Sequence, residues 1–314
     1  MSKPLISVCM PVSRSAAAIA ASLESVLAQS LSAIEVLVGD DGGEGSEVTA
    51  AVADPRVDYR RNVPALGFAG NHEALLARAQ GQFIAILHDD DRWEPSYLEH
   101  AVERLRASPT AGFVLTAHRE TPGGEVAPHP LAGSYAEALP ILLDARFRLL
   151  PSATVMRREL LADVRDPWPR LSCGDMVLYL DAALAGWGVA SVDAPLVFYS
   201  RHPGQISADD TRFRHDLAAL FELYRFRDPA LERCRRARLA ASWLSIARSD
   251  LKGGRSGEAR AGIARARAAR RGPRTLAEGA ALNALSRSPA LLGATLDAWY
   301  ALRGVPATAG EGGL

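Results

Sequence analysis

Three consecutive carboxylates, Asp89, Asp90 and Asp91, follow directly on the apolar run Phe83-Ile84-Ala85-Ile86-Leu87 and on His88. An apolar run of that length, bounded by polar residues, predicts a short buried strand. Acids crowded at the end of such a strand repel one another and lose hydration. A hard divalent cation, Mg2+ or Mn2+, relieves both costs because it takes carboxylate and water oxygens. The other solution is a solvated turn in which an aspartate caps a helix starting near Pro95. On the triplet alone the two readings stand even. A second predicted strand, residues 34–38, also ends in acids, in the stretch Gly39-Asp40-Asp41-Gly42-Gly43. Taken by itself this is a plain turn, since Asp and Gly are turn formers. In a parallel sheet, however, the loops after both strands open on one edge, where α/β sheets bind ligands. There Asp40 and Asp41 can accept hydrogen bonds from a base or ribose. Asp89 and Asp90 can hold ribose and a metal-bridged diphosphate, with Asp91 as a further candidate ligand. A metal at that place neutralises phosphate charge and stabilises a phosphate leaving group.

The elements that must position these acids follow from the hydrophobic pattern. Residues 5–10, 34–38, 57–60 and 83–87 read as strands, and 17–29, 46–52 and 69–80 as helices. Strands alternating with helices predict βαβ units and a mainly parallel α/β sheet. The pattern then loosens into a helix over 96–107, a strand over 112–116 and a Gly/Pro-rich loop over 121–130. A helix over 175–185 and short strands over 188–192 and 196–199 follow. After about residue 211 the chain is Ala/Arg-rich with helical periodicity, and the tail 308–314 has the composition of a disordered end. The expected organisation is one domain over 1–210, with a nucleotide half over about 1–95 and an acceptor half over 96–210, then a helical region over 211–314.

The chain of 314 residues is long enough for a substantial core, and 48% hydrophobic with 23% charged residues is ordinary for a globular protein. Formal net charge is zero, but residues 1–210 carry 17 basic and 27 acidic side chains while 211–314 carry 19 and 9. That asymmetry predicts two differently employed regions. Ala and Arg alternate through 259–271. A solvated helix is the favoured reading, and a basic face against anionic lipid, giving peripheral membrane contact, is the sharper one. Homodimerisation through these helices is a further possibility. No aromatic residues interleave the arginines, which disfavours nucleic acid. Cys9, Cys173 and Cys234 are few and far apart, with no CxxC or Cys/His cluster, so neither a zinc site nor a disulfide framework is expected and a reduced cytoplasm fits. Met1-Ser2-Lys3-Pro4 leads straight into a strand pattern without a signal peptide, and no segment reaches the roughly 18 apolar residues that span a membrane.

Several motifs in order carry a family resemblance. Pro4 to Ser13 resembles the first strand of the GT-A fold family 2 glycosyltransferases, and Ser25-Val-Leu-Ala-Gln-Ser30 their "S-V-L-x-Q-T" helix. Glu35-Val-Leu-Val-Gly-Asp-Asp-Gly42 resembles "E-I-I-V-V-D-D-G-S". Gly67-Phe-Ala-Gly-Asn71 with Ala79-Gln-Gly-Gln-Phe-Ile-Ala85 resembles "G-x-x-x-A-x-N … A-x-G-E-Y-I-A". His88 to Pro95 sits where that family has "D-S-D-D-x-W-x-P". Cys173-Gly-Asp-Met-Val-Leu-Tyr-Leu180, Gly186-Trp-Gly and Pro195-Leu-Val-Phe-Tyr199 resemble the acceptor half, and Tyr199 to Ser207 the "Y-R-x-H-x-x-N-x-S" segment. The resemblance covers about residues 4–207.

It implies a Rossmann-like GT-A fold and inverting transfer of a sugar from a nucleoside diphosphate sugar, most readily a UDP-sugar, to a hydroxyl of a bacterial glycan or small molecule. By matched position, Pro11 and Asp41 flank the nucleobase with Asn71 near it, Asp89 meets ribose or metal, and Asp90 is the principal metal ligand. Asp175 matches the catalytic base, which takes the acceptor's proton as its oxygen attacks the anomeric carbon; as a plain structural feature it would be a first-turn acid of the helix. Arg201 and His202 are placed to reach the diphosphate. His88 replaces the first acid of the metal motif, which leaves the ligand set open and favours a softer ion such as Mn2+. Trp93 reads as packing, and His72, His118 and His129 receive no role. A sugar nucleotidyltransferase is the alternative enzyme, disfavoured because the turn Pro11-Val-Ser-Arg-Ser15 lacks the glycines of a triphosphate loop. A non-catalytic nucleotide-binding or scaffolding protein on the same fold is the other.

Overall fold

The computed structural model describes residues 3–13, 16–42, 45–127, 136–143, 149–164, 171–202 and 210–286. The tail 308–314, His129 and the 203–207 part of the last motif lie outside them. The chain forms two compact units, Met1–Ala208 and Asp209–Leu314. In the first, strands β1 (Ile6–Val12), β2 (Ile34–Asp40), β3 (Val57–Arg61) and β4 (Phe83–Ile86) run parallel, joined by helices α1 (Ala16–Leu27), α2 (Gly45–Val52) and α3 (Gly67–Arg78). The sheet continues through β5 (Arg92–Trp93), β6 (Ala111–Thr121), β7 (Val126–Ala127), β8 (Ala136–Glu137), β9 (Thr154–Arg157) and β10 (Gly188–Ser200), with helices α5 (Ala138–Leu142) and α6 (Asp175–Leu184) on the way. Its order is β3-β2-β1-β4-β9-β6-β10-β5, with β7 on β6 and β8 on β10. β9 is antiparallel to both β4 and β6, so β6 and β10 run in the same direction as the first four strands. This is the expected mixed α/β architecture, mainly parallel and flanked by helices.

The strands are apolar because helices cover both faces of a parallel sheet, so alternation disappears. Five of the seven residues of β1 are fully or almost fully buried in sequence, Ile6 to Met10. Ile19, Leu23 and Val26 of α1, and Leu98, Ala101, Val102 and Leu105 of α4 (Tyr97–Arg106), line the same core at helical spacing. The two short strands expected over 188–199 are one strand, β10. Its register against β6 slips between Val192 and Val197, where Pro195 offers no N–H to a ladder.

Polar residues of α1 fix the segment that follows the acid run. Ser22 Oγ donates to the Asp91 carbonyl at 2.7 Å, and Ser25 Oγ accepts from Trp93 N at 3.2 Å. Gln29 donates to the Glu94 carbonyl at 2.8 Å and accepts from Leu98 N at 3.0 Å, supplying the first turn of α4. The Ser-x-x-x-Gln spacing of the sequence motif is thus a set of backbone clamps.

The second unit holds α7 (Asp210–Leu223), α8 (Pro229–Lys252), α9 (Ser256–Ala269) and α10 (Pro273–Leu285). Asp228 caps α8 by accepting from the N–H groups of Ala230 and Leu231. In α9 the Ala/Arg alternation resolves at helical period: Ala259, Gly262, Ile263 and Ala266 are buried, while Arg260 and Arg265 are exposed. No helix among the described residues is long and apolar enough to cross a membrane.

Replacing Gln29 with Ala leaves the buried Leu98 N–H without its acceptor. The variant is expected to lose about 2 kcal/mol or more of stability in urea unfolding followed by circular dichroism.

Candidate functional site

β1, β2, β4, β6 and β10 all end on one edge of the sheet; Pro11, Asp40, Asp41, Asp89, Asp90, Asp91, Arg201 and His202 sit at or just after those ends, while Asn71 lies on α3 and Asp175 opens a later helix. Three successive acids after β4 are sent to three different partners. Asp89 turns toward β1: it is buried, and its Oδ2 accepts from Ser13 N at 2.7 Å. Asp90 turns toward the segment after β10, where His202 Nε2 lies 2.8 Å from Oδ2. Asp91 is buried beneath the turn, and its Oδ1 accepts from Ser200 N at 2.9 Å. Burial first, then the charge of Asp90, raises the Asp91 pKa to about 7 against the opposing hydrogen bonds from Ser152 and Ser200.

The side chains of His88, Asp90 and Asp91 each offer a ligand atom, and these atoms lie within 4.8 Å of one another. Two carboxylates and one imidazole nitrogen suit Mn2+ or a similar divalent ion, and Mg2+ less well. The donors brought together therefore differ from the expected Asp89, Asp90 and Asp91. His88 stands with Asp90 and Asp91 in this grouping, while Oδ2 of Asp89 is engaged by the Ser13 N–H.

On the nucleotide side, Asp41 is half-buried, and its Oδ1 accepts from Asn62 Nδ2 at 2.8 Å and Leu66 N at 3.1 Å. Its own N–H donates to the Val12 carbonyl, tying it to the end of β1, where Pro11 lies half-buried opposite Gly39. Asp40 does not face a ligand as expected. It is 0% exposed, and its carboxylate accepts from Gly42 N, Gly45 N and the Tyr59 hydroxyl, all at 2.8 Å. It organises the turn into α2 because those donors surround it. Asn71 is also buried, donating to the Gly39 carbonyl at 2.8 Å and accepting from Asn62 at 3.1 Å. A Cβ on Gly39 would come within 2.2 Å of the Asn71 oxygen, so any side chain there would have to displace Asn71.

Asp175 opens α6 (Asp175–Leu184), whose first nine residues are all buried. Burial lifts its pKa to about 7, and the N–H groups of Met176 and Asp175 itself oppose the rise. A carboxyl whose pKa is raised this far can accept a proton near neutrality. Arg201 lies on the surface, paired with Glu120 at 3.2 Å. Trp93 is buried against Tyr97, with its indole N–H donating to the Ser152 carbonyl at 2.7 Å.

The sequence reading missed His72, Ser13, Ser152 and Ser200. His72 is buried on α3, its Nδ1 2.7 Å from the Phe68 carbonyl and its Nε2 3.3 Å from His88 Nε2. Burial first, then the charge of His88, lowers its pKa to about 3. The available signal was its place on the apolar stripe Phe68, His72, Leu75 and Leu76, at helical spacing.

The sequence profile of Glycosyl transferase family 2 matches residues 7–165, and the chain belongs to that family. It is 34% identical over 103 residues to the Escherichia coli UDP-Glc:alpha-D-GlcNAc-diphosphoundecaprenol beta-1,3-glucosyltransferase WfgD, covering 32% of this chain and 41% of that one. The chain spans between 28% and 58% of the length of the curated relatives it matches. Among solved structures, S. aureus TarS 1-349 in complex with UDP-GlcNAc superposes with a TM-score of 0.66 at 15% identity, over 90% of this chain and 91% of that one. The mannosyltransferase PcManGT from Pyrobaculum calidifontis, in complex with GDP-Man and Mn2+, gives 0.57 at 20% identity over 96% and 88%. These likenesses show the fold, which is GT-A.

Asp40→Ala removes the acceptor for two backbone N–H groups and a tyrosine hydroxyl. The variant is expected to lose about 3 kcal/mol or more, measured as a lowered midpoint in urea.

Proposed function

We propose that this protein is an inverting glycosyltransferase that moves a sugar from a nucleoside diphosphate sugar, most readily a UDP-sugar, to a hydroxyl of a bacterial glycan or small molecule. The observation that carries the proposal is the His88, Asp90 and Asp91 donor set at the end of β4, inside the stretch matched to the family. The UDP-sugar named for the E. coli relative and the UDP-GlcNAc bound by TarS support the donor class.

Asp41, held by Asn62 and Leu66 N, is assigned to the nucleobase together with Pro11. Asn71 acts behind them by pinning the end of β2. Asp89 is assigned to ribose. Asp90, Asp91 and His88 would hold the divalent ion, which supplies positive charge against the diphosphate when bound. His202, already on Asp90, is assigned to the diphosphate. Arg201 joins it by exchanging an exposed pair with Glu120, which is worth little. Asp175 takes the proton of the acceptor hydroxyl. The acceptor oxygen bonds the anomeric carbon on the face opposite the leaving group, the bond from that carbon to the diphosphate oxygen breaks, and the nucleoside diphosphate leaves with the electron pair. The three free cysteines agree with a reaction in a reducing cytoplasm.

Asp175→Asn is expected to lower kcat by roughly 100-fold or more while nucleotide affinity, measured by calorimetry, stays unchanged; equal turnover would remove Asp175 from the reaction. Because only the ionised form accepts a proton, wild-type kcat is expected to rise with pH through about 7 and level off above it. EDTA is expected to abolish turnover and Mn2+ to restore it more fully than Mg2+. Full activity without a divalent ion would refute the assigned metal site.

A further inference from the structure

At the β5 margin of the sheet, four strands each bring one residue into a single row. Arg92 of β5 pairs with Phe198 of β10, Phe198 with Arg119 of β6, and Arg119 with Val126 of β7. Partners in register point to the same face, so the row reads cation, ring, cation, aliphatic. The Arg92 guanidinium carbon lies 5.6 Å from the centre of the Phe198 ring, which holds that charge over the row. Arg92 is exposed, Phe198 and Arg119 are half-buried, and Val126 is 44% exposed. Among the described residues no carboxylate pairs with Arg92 or Arg119. Glu120, the neighbour of Arg119, alternates to the other face and pairs with Arg201.

The row lies on the side of the sheet that α6 covers. Phe113 and Arg119 are an even number of residues apart on β6 and share a face. Phe113 packs on Tyr179 of α6 with centroids 5.1 Å apart. α6 ends where β10 begins, and Gly188 of β10 pairs with Ala111 at the start of β6. The N-terminus of α6 therefore points toward the edge where both strands end. From the level of Phe113 and Tyr179, Asp175 stands about 6 Å toward that edge and Arg119 about 20 Å. Arg119 thus lies about 14 Å beyond Asp175 on the same side.

We propose that this row is an acceptor subsite: Arg92 and Arg119 bind a phosphate or carboxylate group of the acceptor while its reacting hydroxyl lies at Asp175. Guanidinium forks suit both oxyanions. The span exceeds one sugar ring, so the acceptor it fits is an anionic glycan and not a neutral monosaccharide. The diphosphate of the donor is assigned elsewhere, to the turn after β4 and to His202. The inference rests on the proposed role of Asp175.

The test uses the full chain with UDP and Mn2+ present. Titrations with glucose-1-phosphate, methyl glucuronoside and neutral methyl glucoside are followed on the side-chain Nε–H signals of 15N-labelled arginine. Arg92 and Arg119 are assigned by the loss of their signals in Arg92→Gln and Arg119→Gln. Both signals are expected to move with a charged probe and to stay still with methyl glucoside; the charged probe that binds more tightly names the anion. Each Gln variant is expected to bind that probe roughly 10-fold more weakly, while UDP affinity by calorimetry stays at the wild-type value. Charged probes that leave both signals still, or that bind the two variants as tightly as wild type, would overturn the subsite. Wild-type protein that binds no UDP would instead overturn the donor reading, and the arginine signals report on the subsite in either case.

Discussion

Like charges crowded into one turn repel, and the acid-bearing edge of this protein is organised around that constraint. Two carboxylates about 4 Å apart near a protein surface repel by about 4 kcal/mol, and here three follow one another after a buried strand. The turn sends Asp89 toward β1, Asp90 toward the end of β10 and Asp91 underneath, where backbone N–H groups from Ser13 and Ser200 and the ring of His202 receive them. The receiving groups come from two strand ends, Ser13 just after β1, and Ser200 and His202 at the end of β10. The acids can be held only once the whole edge is assembled, so the site is a product of the tertiary fold and not of the local sequence.

Two acids share a raised pKa for the same leading reason, burial, yet their surroundings differ in kind. Asp91 has Asp90 and Asp89 as additional causes, and its rise is the unrelieved charge of a cluster. A cation placed among His88, Asp90 and Asp91 would reverse it. Asp175 has no acid among the causes of its shift and receives only backbone N–H groups at the start of α6. The same elementary cost thus produces one group suited to ionise against a positive charge and another suited to gain and lose a proton near neutrality.

Much of this was legible in the chain. Apolar runs closed by Asp-Asp and Asp-Asp-Asp located the strands and the edge, and the motifs in order identified the family. Orientation within the turns was not legible, because it depends on partners far along the chain. Asp40 and Asp41 look equivalent in sequence, yet Tyr59 and the N–H of Gly45 pull Asp40 inward while Asn62 and Leu66 take Asp41. Asp89 follows the same rule, since the N–H of Ser13, 76 residues earlier, takes one of its oxygens. His72 was invisible for a related reason: 16 residues separate it from His88, and the two rings meet only in the folded chain.

The antiparallel strand β9 has a consequence for how this scaffold can diversify. The chain passes from β6 to β9 by way of β7 and β8, and β9 is gripped on one side by β4 and on the other by β6. Just before β9, Ser152 meets the His88 N–H and the Trp93 indole, so the returning chain is stapled to the acid-bearing turn. A change of sequence between β6 and β9 therefore meets a fixed landing point, because β9 keeps its register on two neighbours and Ser152 keeps its hold on the acid-bearing turn.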